Sequence, residues 1–129
     1  MSKKFTPCPC GSPDYVACCG RYHGGTPAPD AAALMRSRYS AYVLKLEPYL
    51  LATWHASTRP SALELDTDNA KWLGLEVKNH SQQDAEHATV EFVARYKIGG
   101  RAHRLHEISR FVREDGRWYY VDGTFPSER

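Results

Sequence analysis

No cysteine occurs after Cys19 in this chain of 129 residues, and neither apolar nor cationic residues form long runs. No segment approaches the roughly 20 apolar residues that span a bilayer, and the N-terminus lacks the apolar core of a signal peptide. The formal net charge is only +2, and Lys3-Lys4 is the longest basic run. Charge therefore does not indicate nucleic acid or an anionic membrane as a partner. These absences predict a soluble, cytoplasmic protein whose thiols are kept reduced.

Recognised catalytic signatures are also missing from the sequence. It contains no G-x-S-x-G, no H-E-x-x-H and no phosphate-binding or dinucleotide-binding glycine motif. The length suits one domain with a small appendage. The sequence therefore favours a non-enzymatic function over an enzymatic one and leaves both open.

All four cysteines lie in one segment, CPCGSPDYVACCG, as Cys8, Cys10, Cys18 and Cys19. Disulfides are rare in a reducing compartment, and the adjacent pair Cys18-Cys19 suits two separate bridges poorly. Four thiolates from two turns are instead a ligand set for tetrahedral Zn²⁺. Gly11 provides the backbone freedom that a sharp first turn needs. The segment therefore predicts a zinc knuckle held by Cys8, Cys10, Cys18 and Cys19.

The fourth ligand of this site is left open by the sequence. His23 follows four positions after Cys19 and is the alternative to either of the adjacent cysteines, Cys18 and Cys19. Free thiols that hold no metal are the simpler alternative. Four protein ligands leave no position for water, so the predicted zinc site is structural and not catalytic.

The chain after the knuckle begins with a Gly- and Pro-rich segment, residues 24–29, which predicts a flexible hinge. We therefore divide the chain into a knuckle, residues 1–25, and a main domain, residues 30–129. Asp30 is a suitable N-cap for a helix that runs to about Leu46. Pro48 begins a second helix that runs through Trp54. The polar segment 57–69 predicts a loop with one short helical turn.

From Trp72 onward the apolar residues alternate, which is typical of β-strands. Gly99-Gly100 and residues 114–116 provide hairpin turns between them. The predicted strands are residues 72–79, 87–98, 102–113 and 117–122. Helices followed by a meander of strands predict an α+β fold, in which two helices pack on a curved antiparallel sheet.

Several segments carry a resemblance to known proteins. The pattern CPCGS…Y…CCG resembles the SEC-C motif, which is known from the tail of the SecA translocation ATPase. The rest of the chain resembles the YchJ family, on the segments LMRSRYSAYV, TWH, WLGLEV and GRWYYVDGT. This resemblance implies that the main domain is a nuclear transport factor 2-like cone. It also implies, as partners, the ribosome or a SecB-like export chaperone, which the SecA tail contacts.

A cone of this kind encloses a cavity that suits a small molecule. Three polar residues are candidates for acid–base chemistry there: His55, Glu107 and Asp122, the last on one strand face with Trp118 and Tyr120. A His55–Glu107 or His55–Asp122 pair has the right chemistry, because a carboxylate can orient an imidazole that titrates near neutral pH. Helix capping and cross-strand pairing are the simpler roles for the same side chains.

The function favoured by these observations is protein interaction. Metal ligation orders a short segment that has too small a core to fold alone. The ordered knuckle is expected to present Tyr15, Val16, Arg21 and Tyr22 to a protein partner. The knuckle carries few cations, which argues against nucleic acid. The alternative function is that of an enzyme or a small-molecule binder that uses the cavity of the cone.

Overall fold

The computed structural model describes residues 6–63 and 70–126. Three helices precede four strands, and the strands form one antiparallel sheet in the order β1-β2-β3-β4. The elements are α1 (Cys19–His23), α2 (Ala31–Leu44), α3 (Glu47–Ala52), β1 (Lys71–Asp84), β2 (His87–Ile98), β3 (Arg101–Glu114) and β4 (Arg117–Thr124). The predicted fold class is confirmed, because the helices pack on one face of a curved antiparallel sheet.

The helix ends follow from local capping. The Asp30 carboxylate accepts a hydrogen bond of 2.8 Å from the backbone N–H of Ala33, as an N-cap does. Helix α2 ends at Leu44 and not at Leu46 as predicted, because Lys45 takes the left-handed conformation with φ 59°. The backbone N–H of Leu46 then bonds back to the carbonyl oxygen of Ala41 at 2.8 Å.

The second helix also stops earlier than predicted. It ends at Ala52, and Pro48 lies in its first turn as expected. Trp54 lies beyond the helix in an isolated bridge to Tyr120 of β4. The carbonyl of Thr53 accepts from the Tyr120 N–H at 2.8 Å, and the His55 N–H donates to the Tyr120 carbonyl at 2.7 Å. This short segment therefore covers part of the outer edge of β4.

The hairpins form where the glycines predict them. Gly99 and Gly100 both have positive φ, and so do Asp115 and Gly116 in the next turn. Strand β1 runs to Asp84, beyond the predicted end at Asn79. Its pairing with β2 shifts register at three places, between Trp72 and Gly74, between Val77 and Asn79, and between Gln82 and Asp84. Of the predicted loop 57–69, residues 64–69 lie outside the described residues.

Helix α2 is buried on most sides because it lies between the sheet and the N-terminal knuckle. Leu34, Met35 and Tyr39 join the same core as Val90 and Phe92 of the sheet. The knuckle contributes to this core through three cysteines: Cys8, Cys10 and Cys19. The knuckle and the main domain thus share one hydrophobic core. The sequence predicts a flexible hinge between them, and the division of the chain into these two domains stays a prediction.

No helix in the described ranges 6–63 and 70–126 combines the length and hydrophobicity that a membrane span requires.

Candidate functional site

The four cysteine side chains converge in the structure. Their Sγ atoms all lie within 4.8 Å of one another, and all four thiols are free. The Sγ atom of Cys10 lies 3.6 Å from that of Cys18, and the Sγ atoms of Cys18 and Cys19 are 4.0 Å apart. Zn–S bonds of about 2.3 Å at tetrahedral angles separate neighbouring sulfurs by roughly 3.8 Å. The donor set and its spacing therefore fit a tetrahedral thiolate-bound metal.

Local backbone structure brings the thiols together. Gly11 has φ +113° and donates to the carbonyl of Cys8 at 3.0 Å, which closes the turn between the first two cysteines. The carbonyl of Tyr15 accepts from the N–H groups of Cys18 and Gly20 at 3.0 and 2.9 Å. A Cβ at Gly20 would lie 2.8 Å from that same carbonyl oxygen, so the approach requires glycine.

The electrostatics of the cluster favour a cation. A hydrogen bond from Cys19 lowers the pKa of the Cys10 thiol to about 4. The same contact and burial raise the pKa of Cys19, and burial raises the pKa of Cys18. One thiolate thus forms readily, whereas each further thiolate is repelled by the negative charge already present in this buried cluster. A bound divalent cation would offset this repulsion.

His23, the alternative ligand, points away from the thiols. Its Nε2 donates to the carbonyl oxygen of Ser37 at 2.8 Å, and its Nδ1 accepts from the Tyr15 hydroxyl at 2.6 Å. Both ring nitrogens are therefore occupied by protein partners. Burial lowers the pKa of His23, which suits a neutral imidazole in this role. His23 therefore joins the knuckle to helix α2 by hydrogen bonds. The four cysteines are the residues that would hold a metal, and their role as ligands stays a prediction.

The predicted partner-binding residues differ in exposure. Val16 is 73% exposed and Arg21 is also exposed. The Arg21 guanidinium lies over the ring of Tyr22 and donates to its hydroxyl at 3.1 Å. Tyr15 is half-buried, and its hydroxyl is occupied by His23. The surface that remains free consists of Val16, Arg21 and the outer part of Tyr22.

The predicted acid–base residues do not come together. The Nε2 of His55 donates to the Glu114 carboxylate at 2.7 Å, and its Nδ1 accepts from the hydroxyl and the N–H of Ser57 at 2.7 and 3.1 Å. Asp122 pairs with Arg110 through two bonds of 2.6 Å on the outer face of the sheet. Both expected pairs, His55–Glu107 and His55–Asp122, are therefore wrong.

A β-bulge explains the position of Asp122. Tyr120 pairs with Phe111, but Asp122 pairs with Arg110, so one extra residue lies between the two pairs. The extra residue turns Asp122 to the face opposite Tyr120 and Trp118. Simple alternation along the strand predicts the same face for all three, which is why the prediction for Asp122 is wrong.

Glu107 alone of the three lies in the cavity between helix α2 and the sheet. The cavity has a volume of about 370 Å³. The Glu107 Oε2 accepts hydrogen bonds from Ser109 at 2.6 Å and from Tyr120 at 3.1 Å. Its side chain lies against Gly123, where a methyl group would overlap the carboxylate. Glycine at this position is therefore required by the path of the Glu107 side chain.

Arg38 is a second buried charge in this cavity, and it was not among the residues predicted from the sequence. It is 3% exposed, and its Nη1 donates to the Leu50 carbonyl at 2.8 Å and to the Thr53 hydroxyl at 2.6 Å. The guanidinium lies 5.1 Å from the ring centre of Trp54 and 4.7 Å from that of Tyr120. The sequence carries one signal for this position: residues three and four positions from Arg38, namely Leu34, Met35, Ala41 and Tyr42, are apolar or aromatic.

Comparison with known proteins agrees with this architecture. A family model described as "YchJ, middle NTF2-like domain" matches residues 30–123. A relative from Chromobacterium violaceum named UPF0225 protein is 66% identical over 123 residues, which cover 90% of each chain. A UPF0225 protein from Methylibium petroleiphilum is 63% identical over 118 residues, which cover 91% of this chain and 87% of that one.

Two solved structures are also similar. One is the solution structure of a SEC-C motif containing protein from Rhodopseudomonas palustris, with a TM-score of 0.82 and 35% identity. It covers 95% of this chain and 100% of its own. The other is the crystal structure of a SEC-C motif containing protein from Psychrobacter arcticus, with a TM-score of 0.79 and 30% identity over 100% of this chain and 88% of its own.

Proposed function

The chain belongs to the YchJ family of SEC-C motif proteins, and from this premise we propose that it is a zinc-binding adaptor that docks onto a protein partner through its knuckle. The observation that carries the proposal is the convergence of four thiols within 4.8 Å. Four sulfur ligands favour Zn²⁺ and leave no position for substrate or water, so the metal acts as a structural element. A site that needs reduced thiols also supports a cytoplasmic location.

The packing of the knuckle supports docking in one orientation. Its inner side is fixed to helix α2 by the Cys8–Ser40 contact of 3.5 Å and the His23–Ser37 bond of 2.8 Å. The outer side offers Val16 and Arg21 to solvent. A complementary partner surface combines an apolar patch with an anionic group. A SecB-like export chaperone and the ribosome are the partners that the SEC-C resemblance suggests.

The test uses variants that leave the thiols intact. Val16→Asp and Arg21→Glu change the exposed side of the knuckle, and Leu73→Asp changes an exposed apolar residue on β1, 48% exposed, as the matched control. Binding of each zinc-loaded protein to immobilised SecB-like chaperone and to ribosomes is measured together with zinc content. We expect at least tenfold weaker binding for the two knuckle variants and no change for the control. Binding equal to wild type in both knuckle variants contradicts the proposal.

Replacing a cysteine is a poorer test of docking. Cys8 and Cys19 belong to the core that α2 shares with the sheet. A Cys8→Ser variant would therefore lose metal and also loosen the main domain, so lost binding would have two explanations. The surface variants separate recognition from folding.

A second function, small-molecule binding in the cavity of the cone, is favoured by the burial of Arg38 and Glu107 in its wall. An enzymatic function of the cavity has no support from the His55–Glu107 or His55–Asp122 pair, because His55 bonds to Glu114 and Asp122 bonds to Arg110. Binding without catalysis needs only a cavity and well-placed polar groups. Ligand-induced chemical-shift changes at cavity residues, in the zinc-loaded protein, test this second function; shifts confined to the outer surface would contradict it.

A further inference from the structure

The cavity between helix α2 and the sheet holds two opposite charges that do not pair with each other. Arg38 is 3% exposed and Glu107 is 8% exposed. Among the described residues, no carboxylate lies within ion-pair distance of the Arg38 guanidinium, and Glu107 acts on it only through space. The hydrogen bonds of Arg38 go to neutral oxygens, those of Leu50, Thr53 and Tyr42. Burial of a charge without a charged partner is costly. A ligand anion would supply the partner that this guanidinium lacks.

Glu107 has an unused acceptor on the cavity side. Both protein donors to its carboxylate, Ser109 and Tyr120, bond to Oε2. Within the part of the chain that the structure describes, Oε1 receives no protein hydrogen bond. A carboxylate in this state is a ready acceptor for an N–H or O–H group of a ligand.

Tyr120 contacts both charges. The Arg38 guanidinium carbon lies 4.7 Å from the centre of the Tyr120 ring, whereas Glu107 lies 3.1 Å from the hydroxyl at the ring's end. The Tyr120 ring thus has the Arg38 guanidinium over its face and the Glu107 carboxylate at its hydroxyl. A ligand that contacts both needs an anion at one end and a donor at the other.

The remaining wall is apolar and aromatic. Trp72, Phe92 and Leu105 line the cavity with Tyr42. Flat aromatic rings suit such a wall, because they bury much apolar area and pack edge-to-face with neighbouring rings. A volume of about 370 Å³ lies at the lower end of the range for ligand cavities, so the ligand is small.

We propose that the cavity binds a small aromatic acid that carries a hydroxyl or N–H donor on its ring. The carboxylate of the ligand pairs with Arg38, the ring donor bonds to Oε1 of Glu107, and the ring packs between Trp72 and Phe92. The inference rests on the second function proposed above and does not depend on the docking function of the knuckle.

The test compares three probes on the zinc-loaded full chain by NMR titration. Para-hydroxybenzoate carries both groups, benzoate lacks the donor, and para-hydroxybenzamide lacks the anion. We expect para-hydroxybenzoate to bind with a Kd at least tenfold lower than either of the other two, and to shift the indole N–H resonance of Trp72. Equal affinity for the three probes overturns the proposed ligand class but leaves cavity binding standing. No binding of any probe at millimolar concentration overturns the proposed class and argues against cavity binding.

Two conservative variants assign the groups. Arg38→Lys keeps a cation but removes the planar fork, and we expect it to lose most of the preference for the acid over the amide. Glu107→Gln keeps the shape of the side chain, and we expect it to lose the preference for para-hydroxybenzoate over benzoate. Unchanged preferences in both folded variants overturn the proposal. If either variant does not fold, the probe comparison on the wild-type protein decides the matter alone.

Discussion

Replacement of Gly123 by alanine tests how tightly the cavity wall is built. Gly123 has an ordinary backbone conformation, so its absent side chain matters for space alone. A Cβ there would approach Cδ and Cγ of Glu107 to 2.6 and 2.8 Å. The strand backbone is fixed by pairing with β3, so the Glu107 side chain has to move. Gly123→Ala is therefore a substitution that acts through Glu107.

The cost of this substitution follows from the contacts of Glu107. Overpacking of a filled site costs about 1–3 kcal/mol. Displacement of the carboxylate breaks its bonds to Ser109 and Tyr120, and hydrogen bonds to a charged group are worth about 1.5–3 kcal/mol each before any replacement by water. Because the cavity lets the carboxylate find water, we expect a net loss of about 3 kcal/mol in the free energy of unfolding. For a chain of 129 residues this lowers Tm by roughly 12 °C.

The assay is urea unfolding of the zinc-loaded protein, with Gly74→Ala as the matched control. Gly74 lies in β1, where an added methyl group would meet no atom within 4 Å, so alanine should change stability by less than about 1 kcal/mol. A Glu107→Ala background should remove most of the cost of Gly123→Ala, which a double-mutant cycle measures. Equal effects of the two glycine substitutions, or additive effects of Glu107→Ala and Gly123→Ala, would refute the reasoning.

Three further predictions concern the knuckle and its support. Cys10→Ser should lower the zinc content below one ion per chain and remove the Tm decrease that a chelator causes in the wild type; full zinc content in the variant contradicts the four-thiol site. Burial lowers the pKa of His23, so stability is retained above about pH 6.5 and lost as pH falls below it. His23→Gln should flatten this part of the pH profile where zinc content is constant, and an unchanged slope contradicts the buried neutral imidazole. Thr53→Val removes the acceptor 2.6 Å from Arg38 and should cost about 2 kcal/mol in urea unfolding; a loss below about 0.5 kcal/mol would show that this bond contributes little.

Short-range signals in the sequence predicted most of the fold. Asp30 caps α2, Pro48 lies in the first turn of α3, and the Gly99-Gly100 and Asp115-Gly116 turns make two of the hairpins, because each acts through its own backbone geometry. The convergence of the four thiols was predictable for the same reason, because all four cysteines lie close together in the chain. The alternation along β2 is also local, and it brings Val90, Phe92 and Ala94 together in the core.

Long-range pairings were not predictable in the same way. The partner of His55 is Glu114, 59 positions away, and no local pattern selects it over Glu107. The bulge before Asp122 adds one residue to a run that alternates normally up to Tyr120, so its effect on the facing of Asp122 has no local signature. Arg38 was missed because a charged residue on a helix is usually exposed. Its burial results from packing of α2 between two layers, which only the tertiary structure reveals.

Among the strands that the structure describes, none pairs with the outer edge of β1, and such an edge is a template on which another extended chain can add. The three register shifts in its pairing with β2 interrupt the regular spacing of outward N–H and C=O groups. Lys71 and Lys78 add charge along the same strand. An approaching strand would therefore lose alignment after a few residues and meet charged side chains. The irregularities of β1 thus disfavour edge-to-edge pairing of two copies of the chain.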